Sequence, residues 1–124
     1  MLKFYGYPRC STSKKAQRWL DAHQIAYDYQ DLVAEPPTKA QLTKWLTKYQ
    51  DRGLRYFFNT SGQHYREQQL KLKVPTMAIA EAAALLASDG KLIKRPLVVN
   101  DQQLTCGFKP DLYAQVWQNA TLNS

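Results

Sequence analysis

A short apolar run, stopped by proline and followed at once by a cysteine and a helix, most narrows what this chain can fold into. Leu2 to Tyr7 is apolar and aromatic, and Gly6 and Pro8 close it, the pattern of a buried strand running into a turn. From Ser13 onward Ala16, Trp19, Leu20 and His23 recur at helical spacing, and Ser11, Thr12 and Ser13 are each able to cap the start. Ile25 to Asp31 alternates apolar and polar residues, as a second, half-exposed strand would. Strand, helix and strand within about 30 residues make a βαβ unit whose two strands run parallel. Cys10 is thereby placed at or just before a helix N-terminus.

The rest of the chain follows from this start. Glu35, Pro36 and Pro37 mark a loop, and Thr38 with Gln41 forms a capping-box pattern ahead of Leu42, Trp45, Leu46 and Tyr49. Asp51, Arg52 and Gly53 end that helix. Leu54 to Leu72 carries the aromatic cluster Tyr56, Phe57 and Phe58, a polar turn from Asn59 to Gly62, and one expected short helix. Glu81 to Ala87 reads as helix with Gly90 as its C-cap. Leu97 to Asn100 and Leu104 to Cys106 read as a β-hairpin, and Pro110 to Gln118 as a closing helix. The expected architecture is α/β: one thioredoxin-like mixed sheet in the order βαβ…ββα, with an inserted helical subdomain. The core spans about 1–34 and 91–119 and the insert about 35–90, within a single domain of 1–124.

Composition excludes several classes. At 124 residues and 14.3 kDa, with 44% hydrophobic and 22% charged residues, the chain has the balance of a globular domain and not of a disordered, collagenous or coiled-coil chain. No apolar run approaches the roughly 20 residues that span a bilayer, so no membrane partner is expected. Two cysteines are too few for a disulfide scaffold, and no basic-then-apolar leader precedes the first strand, so the expected compartment is the cytoplasm. The net charge of +7 points to an anionic partner. Its residues form no basic run or aromatic stacking pattern, which argues against direct nucleic-acid binding and for a small anion or an acidic protein face.

A cysteine at a helix start is where a thiolate forms most easily, because unpaired backbone N–H groups and the helix dipole favour negative charge there. Arg9, Lys14 and Lys15 are expected to add cations, and Ser11, Thr12, Ser13 and Lys14 to line an anion site. Position 13 is serine, so the motif is C-S-T-S and a disulfide within this loop is excluded. Chemistry that begins at Cys10 must end on an external thiol such as glutathione or on Cys106, the second thiol of the chain. Arg95 ahead of Pro96 supplies a fork of donors suited to an oxyanion, with Lys94 as a further charge. His23 and His64 have no cysteine or carboxylate at ligand spacing, so no metal site and no bound cofactor are expected.

Together these segments resemble the arsenate reductase (ArsC)/Spx/MgsR family of thioredoxin-like proteins. The resemblance is carried by FYGYPRCSTSKKAQRWL (4–20), RYFFNTSG (55–62), LIKRPLVV (92–99) and CGFKPDLY (106–113). It implies Cys10 as the nucleophile, facing Arg95 and a cis-Pro96. Reductases of this type attack arsenate with the cysteine, hold the oxyanion with several arginines, and are resolved by glutathione and glutaredoxin. Here Ser61 and Gly107 stand where that set implies arginines, leaving Arg95. The expected activity is an arsenate reductase-like thiol oxidoreductase, with a monothiol C-x-x-S nucleophile, glutathione or another small thiol as co-substrate, and a small thiol or disulfide substrate. The alternative is a Spx/MgsR-like transcriptional regulator that binds the RNA polymerase α-subunit, to which Gly53 and the Gly107-Phe108 pair correspond, without an internal CxxC switch.

Overall fold

The computed structural model of the chain describes residues 1–118; residue 119, the last of the expected core range, lies outside the described residues, as do 120–124. Two compact units are formed, one by residues 1–31 with the chain from Arg95, the other by Leu32–Lys94. The first is a mixed sheet with helices. Strand β1 (Leu2–Gly6) runs into helix α1 (Ser11–Ala22) and then β2 (Tyr27–Asp31); β3 (Leu97–Val99), β4 (Leu104–Cys106) and α6 (Pro110–Tyr113) complete it. The order across the sheet is β2-β1-β3-β4, parallel between β1 and β2 and antiparallel elsewhere.

Strand periodicity decides what this sheet buries. Leu2 and Phe4 share a face with Val98, which pairs with Phe4, and pack with Ala16 and Leu20 of α1 and with Tyr113 and Trp117. Ser13, Ala16 and Leu20 are the buried residues of α1, spaced three and four apart on the side turned to the sheet. Gln24 takes a left-handed φ of 57°, and the Ile25 N–H donates to the Leu20 carbonyl at 2.9 Å, closing the helix. Strand β2 therefore begins at Tyr27, two residues later than the alternation predicts. The closing segment begins as α helix and passes into a π-helix over Ala114–Gln118. Within it the buried Trp117 indole donates to Thr105 Oγ1 at 3.1 Å, satisfying a donor that would otherwise be lost in the core.

The second unit contains α2 (Lys39–Lys48), α3 (Gln63–Glu67), α4 (Leu70–Lys73) and α5 (Ile79–Ser88). The capping box at α2 forms as its residue types dictate: Thr38 Oγ1 accepts from the Gln41 N–H at 3.1 Å, and Gln41 Oε1 accepts from the Thr38 N–H at 2.9 Å. Leu42, Trp45, Leu46, Phe57, Phe58 and Leu86 are buried in this unit. The region expected to hold one short helix holds a 3₁₀ turn (Leu54–Phe57) and both α3 and α4. Gln69, at a left-handed φ of 54°, separates the two helices, and glutamine gives no turn signal in sequence. The expectation for Gly90 is corrected as well. Asp89 caps α5 in an extended conformation, and Gly90 opens a 3₁₀ turn where an added Cβ would stand 1.9 Å from the Leu32 carbonyl oxygen. Close backbone approach, rather than a left-handed cap, demands glycine there. Among the described residues no helix is long and apolar enough to cross a membrane.

Candidate active site at Cys10

Cys10 is itself the N-cap of α1, in extended conformation (φ −95°, ψ 117°). Ser11, Thr12 and Ser13 thus lie inside the first turn, and none of them caps the helix. That turn holds no acidic residue, so the positive end of the helix dipole is not answered by a carboxylate. The loop is closed by the Cys10 N–H donating to the Tyr7 carbonyl at 3.0 Å, and the Lys14 N–H donates to the Cys10 carbonyl at 3.2 Å.

The serine in place of a second cysteine has a definite job. Ser13 is 1% exposed, and its hydroxyl oxygen accepts from the Tyr7 N–H at 3.3 Å. The same hydroxyl also favours the charged form of the Cys10 thiol. Burial pushes the half-buried Cys10 thiol up, but the Ser13 N–H, the Ser13 hydroxyl, the Thr12 N–H and the Arg95 guanidinium outweigh it and hold the thiol below its ordinary value. Hydrogen bonds from the helix start and from Arg95 lower this thiol, and Arg9, Lys14 and Lys15, expected to add cations, are not among the causes. All three of those side chains are exposed.

Arg95 comes to the thiol from the other half of this unit. The Arg95–Pro96 bond is cis, and the Pro96 carbonyl accepts from the Gly107 N–H at 2.9 Å. Gly107 adopts φ +83°, a conformation in which an arginine would be strained, and its carbonyl accepts from the Tyr113 hydroxyl at 3.2 Å. The Arg95 guanidinium lies over the Tyr7 ring, 5.0 Å from its centroid. Its Nη1 is buried and has no hydrogen-bond partner among the described residues.

Cys106 is buried in β4 and forms no disulfide. It pairs with Leu97, which pairs with Tyr5 of β1, so β3 lies between it and the strand that leads to Cys10. The histidines are engaged elsewhere: His23 stacks on Trp19 at 3.8 Å, and His64 Nδ1 meets Asp89 Oδ2 at 2.6 Å.

Two tyrosines near this loop carry no local sequence signal for a site. Tyr7 lies beneath the Arg95 guanidinium. Tyr29 on β2 stacks on Phe4 at 5.7 Å, and burial, then Asp31, Cys10 and Tyr27, push its phenol up. The alternation of β2, which puts Tyr27 and Tyr29 on one face, was the available signal, but it reads equally as packing.

In the helical unit a concavity of about 600 Å³ is lined by Gly53, Leu54, Arg55, Tyr65, Lys71 and Val74, among others. Gly53 stands at φ +83° with open space where a side chain would project.

Comparison with known proteins agrees with this arrangement. The chain is 44% identical over 116 residues to the uncharacterized protein YusI of Bacillus subtilis, covering 94% of this chain and 98% of YusI. It is 33% identical to the regulatory protein MgsR of the same organism, over 88% of this chain and 84% of MgsR. A crystal structure from Streptococcus mutans, described as a possible arsenate reductase, superimposes with a TM-score of 0.82 at 44% identity, over 88% of this chain and 92% of that one. The profile of the ArsC family matches residues 5–116. The chain belongs to the ArsC family, whose arsenate reductase-like structures share its thioredoxin-like fold.

Proposed function

We propose that this protein is a monothiol oxidoreductase of arsenate reductase type, in which Cys10 is the nucleophile and an external thiol such as glutathione completes the turnover. The observation that carries this reading is the convergence on one half-buried sulfur of the Ser13 and Thr12 N–H groups, the Ser13 hydroxyl and Arg95. With a disulfide substrate, the Cys10 thiolate attacks one sulfur. The S–S bond breaks, the other sulfur leaves as a thiolate, and Cys10 is held in a mixed disulfide. A glutathione thiolate then attacks the substrate-derived sulfur, forming an external disulfide and returning Cys10 as thiolate. Arg95 holds an anionic group of the substrate, and Lys14 at the helix start adds positive field. Ser13 supplies no second sulfur and Cys106 lies behind β3, which favours resolution from outside, with glutaredoxin as a protein partner able to remove the adduct.

The test is the rate of Cys10 alkylation by iodoacetamide against pH, together with mass spectrometry after oxidation with glutathione present. Titration below the ordinary thiol range and one glutathione on Cys10 are expected. Slow alkylation with a midpoint at about 8.5 or above, or an internal Cys10–Cys106 bond, overturns the reading.

A second reading, a regulator that docks on the RNA polymerase α-subunit, is favoured by the 33% identity to MgsR and by the open, cation-bearing concavity at Gly53, Arg55 and Lys71. Retention of purified α-subunit by the immobilised protein supports it, provided Gly53→Arg abolishes that retention. No retention ends it.

A further inference from the structure

We propose that Tyr7 is the positioning residue of this site: its ring is the platform that holds the Arg95 guanidinium toward Cys10 and ready for an anionic oxygen of the substrate. The inference rests on the thiol-reactive reading of Cys10 and specifies how that site recognises charge.

Three constraints meet on Tyr7. Its N–H donates to Ser13 Oγ at 3.3 Å, and its carbonyl accepts from the Cys10 N–H at 3.0 Å, so the backbone of Tyr7 is fixed by the same loop that fixes the sulfur. Its ring carries Arg95 at 5.0 Å. A guanidinium lying over an aromatic face is attracted there through its plane, while its N–H donors point outward at the rim. One part of that rim acts on the Cys10 thiol. Nη1, by contrast, is buried without an acceptor. A buried charged donor without an acceptor is unfavourable and is removed when an acceptor arrives. An anionic oxygen, from a carboxylate or an oxyanion beside the scissile bond, fits that need. Without the ring, the long Arg95 side chain regains its rotamers and points its charge at neither the sulfur nor the substrate.

Charge selectivity at Cys10 tests this without knowledge of the natural substrate. Alkylation by iodoacetate, which bears a carboxylate, is compared with alkylation by neutral iodoacetamide. Both are measured at a pH above the Cys10 titration, so that changes in thiolate fraction cancel. In Tyr7→Leu the ratio of the two rates should fall about fivefold, while Tyr7→Phe, which keeps the ring, should hold the original ratio. In an Arg95→Gln background, where the ratio is already low, Tyr7→Leu should change it no further.

An unchanged ratio in Tyr7→Leu overturns the proposal, as does an equal fall in the Arg95→Gln background, or a fall in Tyr7→Phe as large as in Tyr7→Leu. Should Tyr7→Leu not fold, Tyr7→Phe and Tyr7→Trp still decide, since both must retain the ratio. Failure of the underlying reading looks different: the unmodified protein would then alkylate slowly with iodoacetamide itself, whatever stands at position 7.

Discussion

The unit around Cys10 and the helical unit between Leu32 and Lys94 bury different kinds of atom. Ser13 and Thr105, the polar residues buried among those described, both belong to the first, as does the unpartnered Nη1 of Arg95. The helical unit keeps its side-chain polar pairs, Thr38 with Gln41 and His64 with Asp89, at exposed or part-buried positions. Its interior holds leucines and aromatics, and its tightest constraint is one backbone passing against another at Gly90. Polar burial is costly unless each group is satisfied. Thr105 meets this requirement by accepting from the buried Trp117 indole, whereas Ser13 and Arg95 turn polar atoms to Cys10, as the proposed thiol chemistry requires.

From that contrast, changes in the two units should separate cleanly between stability and thiol chemistry. The largest effect is expected from Gly90→Ala. Its Cβ would meet the Leu32 carbonyl oxygen at 1.9 Å, and the displacement should cost about 3 kcal/mol of stability. A lowered urea midpoint with an unchanged alkylation pH profile in the folded protein would agree. An upward shift of the Cys10 titration in that variant would break the separation.

Ser13→Ala should act in the opposite sense. Removing the hydroxyl that supports the thiolate should slow alkylation below pH 7 by about tenfold, the effect of losing about 1.4 kcal/mol of charge-assisted hydrogen bonding. A titration midpoint left in place would assign the depressed thiol to the backbone N–H groups and Arg95 alone. Ser13→Cys sharpens the point, since it supplies the missing second sulfur. Oxidation should then give an internal disulfide by mass spectrometry in place of the glutathione adduct.

A smaller effect is expected at the His64–Asp89 pair, which joins the start of α3 to the end of α5 at 2.6 Å. His64→Ala should lower stability by about 1 kcal/mol in a denaturant titration, with no movement of the Cys10 profile.

The smallest effect is the pH dependence of stability that Cys10 itself brings. Its pKa is lower in the folded chain than in the unfolded one. The stabilisation from its thiolate is therefore complete above the unfolded value of about 8.5 and is lost as pH falls through the folded value. The free energy of unfolding measured across that window should rise with pH in the native protein, and Cys10→Ser should flatten the rise. A slope of opposite sign would mean that burial, not hydrogen bonding, dominates at the sulfur.

Much of this was open to reading from local pattern. The β1–α1–β2 start, the capping box at Thr38 and the hairpin that returns Cys106 depend on residue spacing and cap chemistry within a few positions, so they carry over to the structure with ends moved by about two residues. The helices between Leu54 and Lys73 were harder, because their break falls at a left-handed Gln69. The role of Gly90 is hidden for a related reason: sequence shows that a glycine is present but not which backbone approaches it.

The site divides in the same way. Cys10 at a helix start, Ser13 in place of a second sulfur and Arg95 ahead of Pro96 are statements about neighbours in the chain, and the sequence by itself determined them. That Arg95 reaches Cys10 from 85 positions away (95 − 10), that its guanidinium lies on Tyr7, and that Cys106 stands behind β3 were decided only by tertiary structure. The physical reason is that a local pattern specifies which groups a residue offers, whereas strand order and register specify which groups meet.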